Sequence, residues 1–373
     1  MTSSPDATSP APEAAPTAPA PARRRPSGRA VATWVSLVAM CGLLLGGMFL
    51  PVPYVIEQPG PAIDVLGEHD GERVLSISGA EQYPTTGSLM MTTVSVAGGP
   101  GYPVTPAQVI GAWFDSSESV LPRELVFPDG QSEEETSLRN SADMTTSQQD
   151  AVAVALTALG MAYHQDVMVA GVLQGGPADG VLEPGDIVVS IDGQSRTTTA
   201  DYQKLTRAAP AGQDLTMVVR RAGAETTVQV PTEQVDGTTR MGIVLAPGYE
   251  FPVDVTVTVD GVGGPSAGTM FALAVYDELT PGSLTGGAAI AGTGTMSADG
   301  QVGAIGGIRQ KMVGAREEGA RFFLAPAGNC DEVTGHVPSG LAVVKVSTFD
   351  DALAAVETIG TTGSADSLPT CGS

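Results

Sequence analysis

The 373-residue chain carries 41 acidic against 18 basic side chains, a formal net charge of −23. That balance argues against nucleic acid or an anionic membrane surface as a partner, although solubility alone would also account for it. The length leaves room for about two domains plus extensions. His69, His164 and His336 are scattered, without H-E-x-x-H or any other zinc context, so no metal and no cofactor are expected.

Residues 1–30 read as a disordered cytoplasmic tail, because the stretch to Ala22 is almost entirely Pro, Ala, Ser and Thr. Arg23, Arg24, Arg25 and Arg29 follow, and then residues 31–50 run without a charge. That run has the length of a transmembrane helix. The next basic residue is Arg73, which predicts a cytoplasmic N-terminus, a single pass through the lipid bilayer and extracytoplasmic C-terminal domains in the cell membrane. A cleaved signal peptide is the rival, disfavoured by the length of the run and the lack of an A-x-A site. The tail's four arginines against two acids leave −25 for the exported part.

Residues 51–150 are expected as an extracytoplasmic N-terminal region. Pro51, Pro53, Pro59 and Pro61 punctuate an extended exit, Leu89–Val96 reads as a strand, and Thr105-Pro106 opens a short helix through Trp113. The acidic stretch from Asp129 to Asp143 reads as a loop. Ser147 and Asp150 begin a helix that carries Val152, Leu156 and Leu159 on one face and stops at Gly160.

The pattern changes within residues 151–235. A strand at Val167–Leu173 leads to Gly176-Pro177-Ala178, then Leu182-Glu183-Pro184-Gly185-Asp186-Ile187 and the turn Asp192-Gly193. A helix from Thr199 and a hairpin, Leu215–Arg220 with Thr226–Val230, complete the unit. Over roughly 70 residues these features resemble the PDZ family of bacterial envelope proteases. The resemblance implies a groove that takes an extended peptide at a sheet edge. The family's carboxylate-binding loop would fall at Leu159, Gly160 and Met161, which also read as a helix end. A domain of this shape can alternatively gate or orient its neighbour.

Residues 236–373 hold the chemistry. Val253, Val255, Val257 and Val259 alternate with polar residues as in a half-buried strand. Gly261, Gly263 and Gly264 then permit a tight turn into Ser266, which heads a helix carrying Met270, Phe271 and Leu273. An ordinary N-cap serine is the bland reading. Free N–H groups at a helix N-terminus can instead hold an oxyanion.

Ala288–Met296 reads as a Gly-rich strand, and Gly306-Gly307 leads into a helix with Ile308, Met312 and Ala315 as its buried stripe. Lys311 lies on the adjacent row and is one of three lysines, with Lys204 and Lys345, against fifteen arginines. Lysine can become a neutral base once desolvated, whereas arginine stays charged. Working near neutrality requires its pKa to fall from about 10.4 to about 7–8. Lys345 competes for the role, but it sits in a strand with no glycine turn or cap beside it and reads as an edge lysine.

Gly264-Pro265-Ser266-Ala267-Gly268, Thr293-Gly294, Gly300-Gln301-Val302, Ile305-Gly306-Gly307 and Lys311 together resemble the proteolytic domain of Lon, over roughly residues 239–326. The resemblance implies Ser266 as nucleophile, Lys311 as general base, and Thr293, Gly264 and Ala267 in support. The layout as a whole resembles membrane-bound PDZ–Lon proteins. Gly263 replaces an acid common in Lon three residues before the serine, and Thr295 replaces the acid that usually follows Thr-Gly. No G-x-x-x-x-G-K-[ST] motif occurs, so hydrolysis without ATP is expected.

The expected fold class is α+β: an N-terminal transmembrane helix, a PDZ-like domain and a Lon-type proteolytic domain with a C-terminal extension. The expected function is a serine endopeptidase acting on unfolded or extended proteins. A peptide-binding scaffold without useful activity is the alternative. Lon proteolytic domains form rings, so the resemblance also implies a homo-oligomer. Cys330 and Cys371 lie in the part expected outside the cell and are expected to form a disulfide rather than a zinc site.

Overall fold

The computed structural model describes residues 28–127, 132–210, 212–259 and 261–372. The tail through Arg25, Asp129 and Asp260 lie outside the described residues. The chain divides into two units, 1–50 and 51–373.

The first unit contains helix α1, Gly28–Gly47, with exposed Trp34, Leu43 and Leu44. The span expected over 31–50 requires a correction, because the helix ends at Gly47 and the chain turns after it. The uncharged helical part, 31–47, reaches only about 26 Å at 1.5 Å per residue. A hydrocarbon core is about 30 Å thick. Among the described residues no helix is long and apolar enough to cross a membrane.

The second unit opens with β1 (Tyr54–Asp64), β2 (Ser88–Ala97), helix α2 (Pro106–Trp113) and β3 (Ser119–Pro122). Thr105 and Gln108 form a capping box that starts α2. Helix α3, Glu133–Ala158, follows. Much of the expected loop over 129–143 is therefore helix. The signal passed over is Ser132 with Glu135, a second capping box, and Glu133, Glu134 and Glu135 favour the positive end of the helix dipole.

Next come β4 (His164–Val172), β5 (Ile187–Ile191), helix α4 (Thr199–Ala208), β6 (Leu215–Arg221), β7 (Ala224–Val230) and β8 (Ile243–Glu250). They form a five-stranded sheet in the order β7-β6-β5-β4-β8 around their own core of Val169, Ile191, Tyr202 and Met217.

Helix α5 (Gly268–Glu278), β9 (Ala289–Gly292), helix α6 (Ile308–Glu317), β10 (Phe322–Pro326), β11 (Ala342–Val346) and helix α7 (Phe349–Thr362) complete the chain. Their strands join those of the opening segment in one six-stranded sheet, β11-β10-β9-β2-β1-β3. The junction is the parallel pair β9–β2, from Ala289 with Ser88 to Gly292 with Met91. Residues 51–150 are thus not a region apart. They supply half of the sheet shared with the C-terminal segment, and the five-stranded unit is inserted between the two halves.

Both faces of this sheet are covered, as the alternation along fully buried β10 shows. Phe322 and Leu324 join a core with residues of α3, α5 and α7, whereas Phe323 and Ala325 join another with Ile308, Met312 and Ala315 of α6. Helices α5 and α6 therefore lie on opposite faces. The strand expected over 253–259 is shorter, Asp254–Val257, and pairs with Leu75–Ser78. Cys330 and Cys371 are joined by a disulfide.

Candidate active site

The turn before α5 is held by glycines that approach other segments closely. Gly264 has φ +88°, which a side chain would strain, and its N–H donates to the Asn140 carbonyl of α3 at 3.0 Å. At Gly263 a Cβ would come 3.0 Å from the Asn140 Cβ. This packing supplies a reason for glycine at a position where the Lon pattern commonly has an acid. Ser147, buried on α3, donates its hydroxyl to the Pro265 carbonyl at 2.8 Å.

These contacts set Ser266 just ahead of α5, whose first residue is Gly268. The Ser266 carbonyl accepts from the Gly294 N–H at 2.8 Å and from the Thr293 hydroxyl at 3.0 Å. The amides of Ser266 and Ala267 have no backbone acceptor among the described residues.

Lys311 arrives from the opposite face of the sheet. Gly307 in the left-handed region starts α6, and the Asn329 side chain, itself buried, bonds both the N–H and the carbonyl of Ile305 just upstream. The Lys311 Nζ donates to the Ser266 Oγ at 2.7 Å and to the Thr293 Oγ1 at 3.1 Å. Lys311 is only 4 % exposed, and burial lowers its pKa to about 8, with the nearby negative charge of Glu57 opposing the drop. Glu57 is half-buried on β1, and desolvation raises its own pKa. A neutral amine can thus form near physiological pH beside a hydroxyl it already contacts.

Residues 254–358 match the Lon protease (S16) C-terminal proteolytic domain. Residues 168–221 match a PDZ domain. The chain is 38 % identical over 94 residues to Lon protease 1 of Sorangium cellulosum and 33 % identical over 115 residues to Lon protease of Geobacter metallireducens. These alignments cover 24 % and 30 % of this chain but only 11 % and 14 % of the two Lon proteins. A crystallised PDZ domain of an SdrC-like protein from Listeria monocytogenes aligns at 23 % identity and a TM-score of 0.21. It covers 21 % of this chain and 86 % of that structure.

Beside Ser266 and Lys311 lies a cavity of about 650 Å³ lined by Ile63, Met91, Met144 and Val262, with Glu57 and His69 also on its wall. Strand β2 borders it from Met91, the last residue paired with β9, to Val96. Lys345 is on the edge strand β11 and does not line this cavity.

Leu159, Gly160 and Met161 need a correction. Leu159 caps α3, Gly160 takes φ +69°, and the Met161 N–H bonds back to Leu156, while Leu159 and Met161 pack on the main core. They form a helix stop and not a peptide-binding loop. The open cavity of the PDZ unit, about 700 Å³, lies instead between α4 (Thr206, Arg207) and the start of the edge strand β8 (Ile243, Leu245).

Sequence reasoning passed over Glu57, Asn140 and Met144, and it reads Ser147 only as the start of a helix. Each lies far along the chain from Ser266 in a segment without a motif of its own, and no sequence signal marks them.

Proposed function

We propose that the protein is a serine endopeptidase in which Ser266 attacks a peptide carbonyl while neutral Lys311 takes its proton. The observation that carries this reading is the 2.7 Å contact of a desolvated lysine with the serine hydroxyl. The unpaired amides of Ser266 and Ala267 are suited to hold the tetrahedral anion; its collapse breaks the C–N bond and expels the amine, which takes the proton from Lys311, and water then hydrolyses the acyl-enzyme. The run of β2 along the cavity past its last partner on β9 suits an extended, unfolded substrate that adds as a strand. A peptide in the groove between α4 and β8 fits the same substrate class. No step requires ATP.

Hydrolysis of casein and of short peptides, lost in Ser266→Ala and in Lys311→Ala, is the expected result. Wild type and both variants behaving alike on several unfolded substrates would instead favour the peptide-binding scaffold.

The proposal extends to location. The exposed apolar side chains of α1, continued by Phe49 and Leu50 and preceded by Arg23–Arg25 and Arg29, favour burial of this segment in a membrane. Residues 1–373 should then pellet with membranes and resist alkaline extraction, and residues 51–373 should not. Equal solubility of the two would remove this part of the reading. The ring that the Lon resemblance implies is checked by sedimentation of the detergent-solubilised chain, and a monomer at all concentrations would exclude it.

A further inference from the structure

Helix α3 touches two cavities and the catalytic turn. Near its N-terminus, Glu135 and Leu138 line the cavity of the PDZ unit. Two residues later the Asn140 carbonyl accepts the Gly264 N–H. Met144 lines the cavity beside Ser266. Ser147 then holds the Pro265 carbonyl, and a Cβ on Gly268 would meet the Ser147 Oγ at 2.6 Å. From Leu138 to Ser147 is about 13 Å along one helix at 1.5 Å per residue.

That stretch of α3 is also packed on the PDZ sheet, where a Cβ on Gly171 of β4 would lie 3.0 Å from Leu138 and 3.1 Å from Ala142. Contacts this close leave a helix little room to rotate without moving both partners. The two sides of α3 differ in kind. On the PDZ side the partners are mostly side chains of an open cavity, with apolar Val235, Met241, Ile243 and Leu245 beside the cation Arg207. On the catalytic side the partners are backbone groups of the residues immediately before Ser266.

We propose that α3 positions the serine turn through Asn140 and Ser147, and that an extended peptide with an apolar side chain, filling the PDZ-side cavity against Leu138, changes the reactivity of Ser266 through that helix. Ser147 is then a positioning residue, and the PDZ unit is a sensor of substrate as well as a tether. The inference rests on the peptidase reading for its consequence, but its physical content is movement of residues 261–268.

The test uses the full chain in detergent with Cys41→Ser, so that a new thiol is the only free one. N-phenylmaleimide on Leu138→Cys places a bulky apolar group in the PDZ-side cavity. The same label on exposed Ser137→Cys, which does not line that cavity, is the control. Val235→Cys reaches the cavity from the PDZ side and replaces Leu138→Cys if that variant does not fold. Two quantities are read: kcat and KM on a peptide of about six residues, too short to occupy both cavities, and amide exchange in residues 261–268.

Labelling inside the cavity should alter kcat by about threefold or more with KM within about twofold, and should shift exchange in 261–268. The Ser137 label should do neither, and Ser147→Ala should lower kcat and abolish the response to the cavity label. A confirmed label in a folded protein that leaves exchange in 261–268 unchanged overturns the proposal, as does an equal response from Ser137. Absence of hydrolysis in every form would count against the peptidase reading, whereas the exchange measurement would still decide the role of α3.

Discussion

The carbonyl oxygen of Gly60 on β1 sits against Gly314 on α6, one turn beyond Lys311, so closely that a Cβ on Gly314 would overlap it. The contact fixes how deeply α6 seats on the sheet, and hence where the lysine amine ends. Gly314→Ala must push the helix outward, at a cost of about 1–3 kcal/mol in stability by analogy with overpacked cores. Because proton transfer depends on a short contact, the loss in kcat/KM should reach about tenfold or more. Urea unfolding and peptide hydrolysis of the same sample check both; an unchanged kcat would detach the position of α6 from catalysis.

The base must be neutral, so kcat/KM should rise with pH and reach half its plateau near pH 8, the value to which burial lowers Lys311. Glu57 works the other way, since its negative charge favours the charged amine. Glu57→Gln should therefore move this acid limb to lower pH and leave the plateau little changed. A pH–rate profile with an unmoved or upward-shifted limb would show that Glu57 does not act on Lys311.

Burying Lys311 costs stability. Its folded pKa, about 8, is below the ordinary 10.5. The unfolded chain thus binds more protons between those values, and stability rises with pH across that window. Below about pH 8 the full cost applies, about 3 kcal/mol for a difference of this size. Lys311→Met should be inactive yet more stable than wild type near neutrality, less what the hydrogen bonds to Ser266 and Thr293 contributed. The advantage should fade towards pH 10.5. Denaturant midpoints over that range test it, and a pH-independent difference between the two proteins would contradict the buried, titrating amine.

In the PDZ unit, Arg221 of β6 grips Asp186 through two nitrogens at 2.6 and 2.7 Å, and Asp186 is 2 % exposed. Arg221→Ala leaves a buried carboxylate without its partner, which typically costs about 3–5 kcal/mol. Thermal or urea unfolding should show that loss. A cost within the range of an exposed pair, about 0–1 kcal/mol, would mean that water reaches Asp186.

Much of the candidate site was legible along the chain because its parts sit at turns with strong local rules. Gly264 before Ser266, and Gly307 before Ile308, mark strand-to-helix and loop-to-helix junctions whose positive φ few other residues permit. The half of α3 before Ser147 was misread, because a polar helix face resembles a loop when the capping pair Ser132 and Glu135 is passed over. At Leu159–Met161 the sequence left two readings open, because a glycine after an apolar residue marks a helix stop as readily as a binding loop. The end of α1 at Gly47 was hidden by the apolar residues that continue past it.

Local order determined which residues could do chemistry: a serine on a glycine turn and a rare lysine on a helix with an apolar stripe. Only the tertiary structure decided that they meet. Ser266 precedes a helix on one face of the six-stranded sheet and Lys311 rides a helix on the other, and they meet past the end of β9, where Thr293 bonds to both. The same holds for the sheet itself, since β1 and β2 find β9 across the inserted PDZ unit. Pairing of that kind depends on which edges and faces remain to be buried once each segment has folded, a property of the whole molecule that no single stretch of sequence carries.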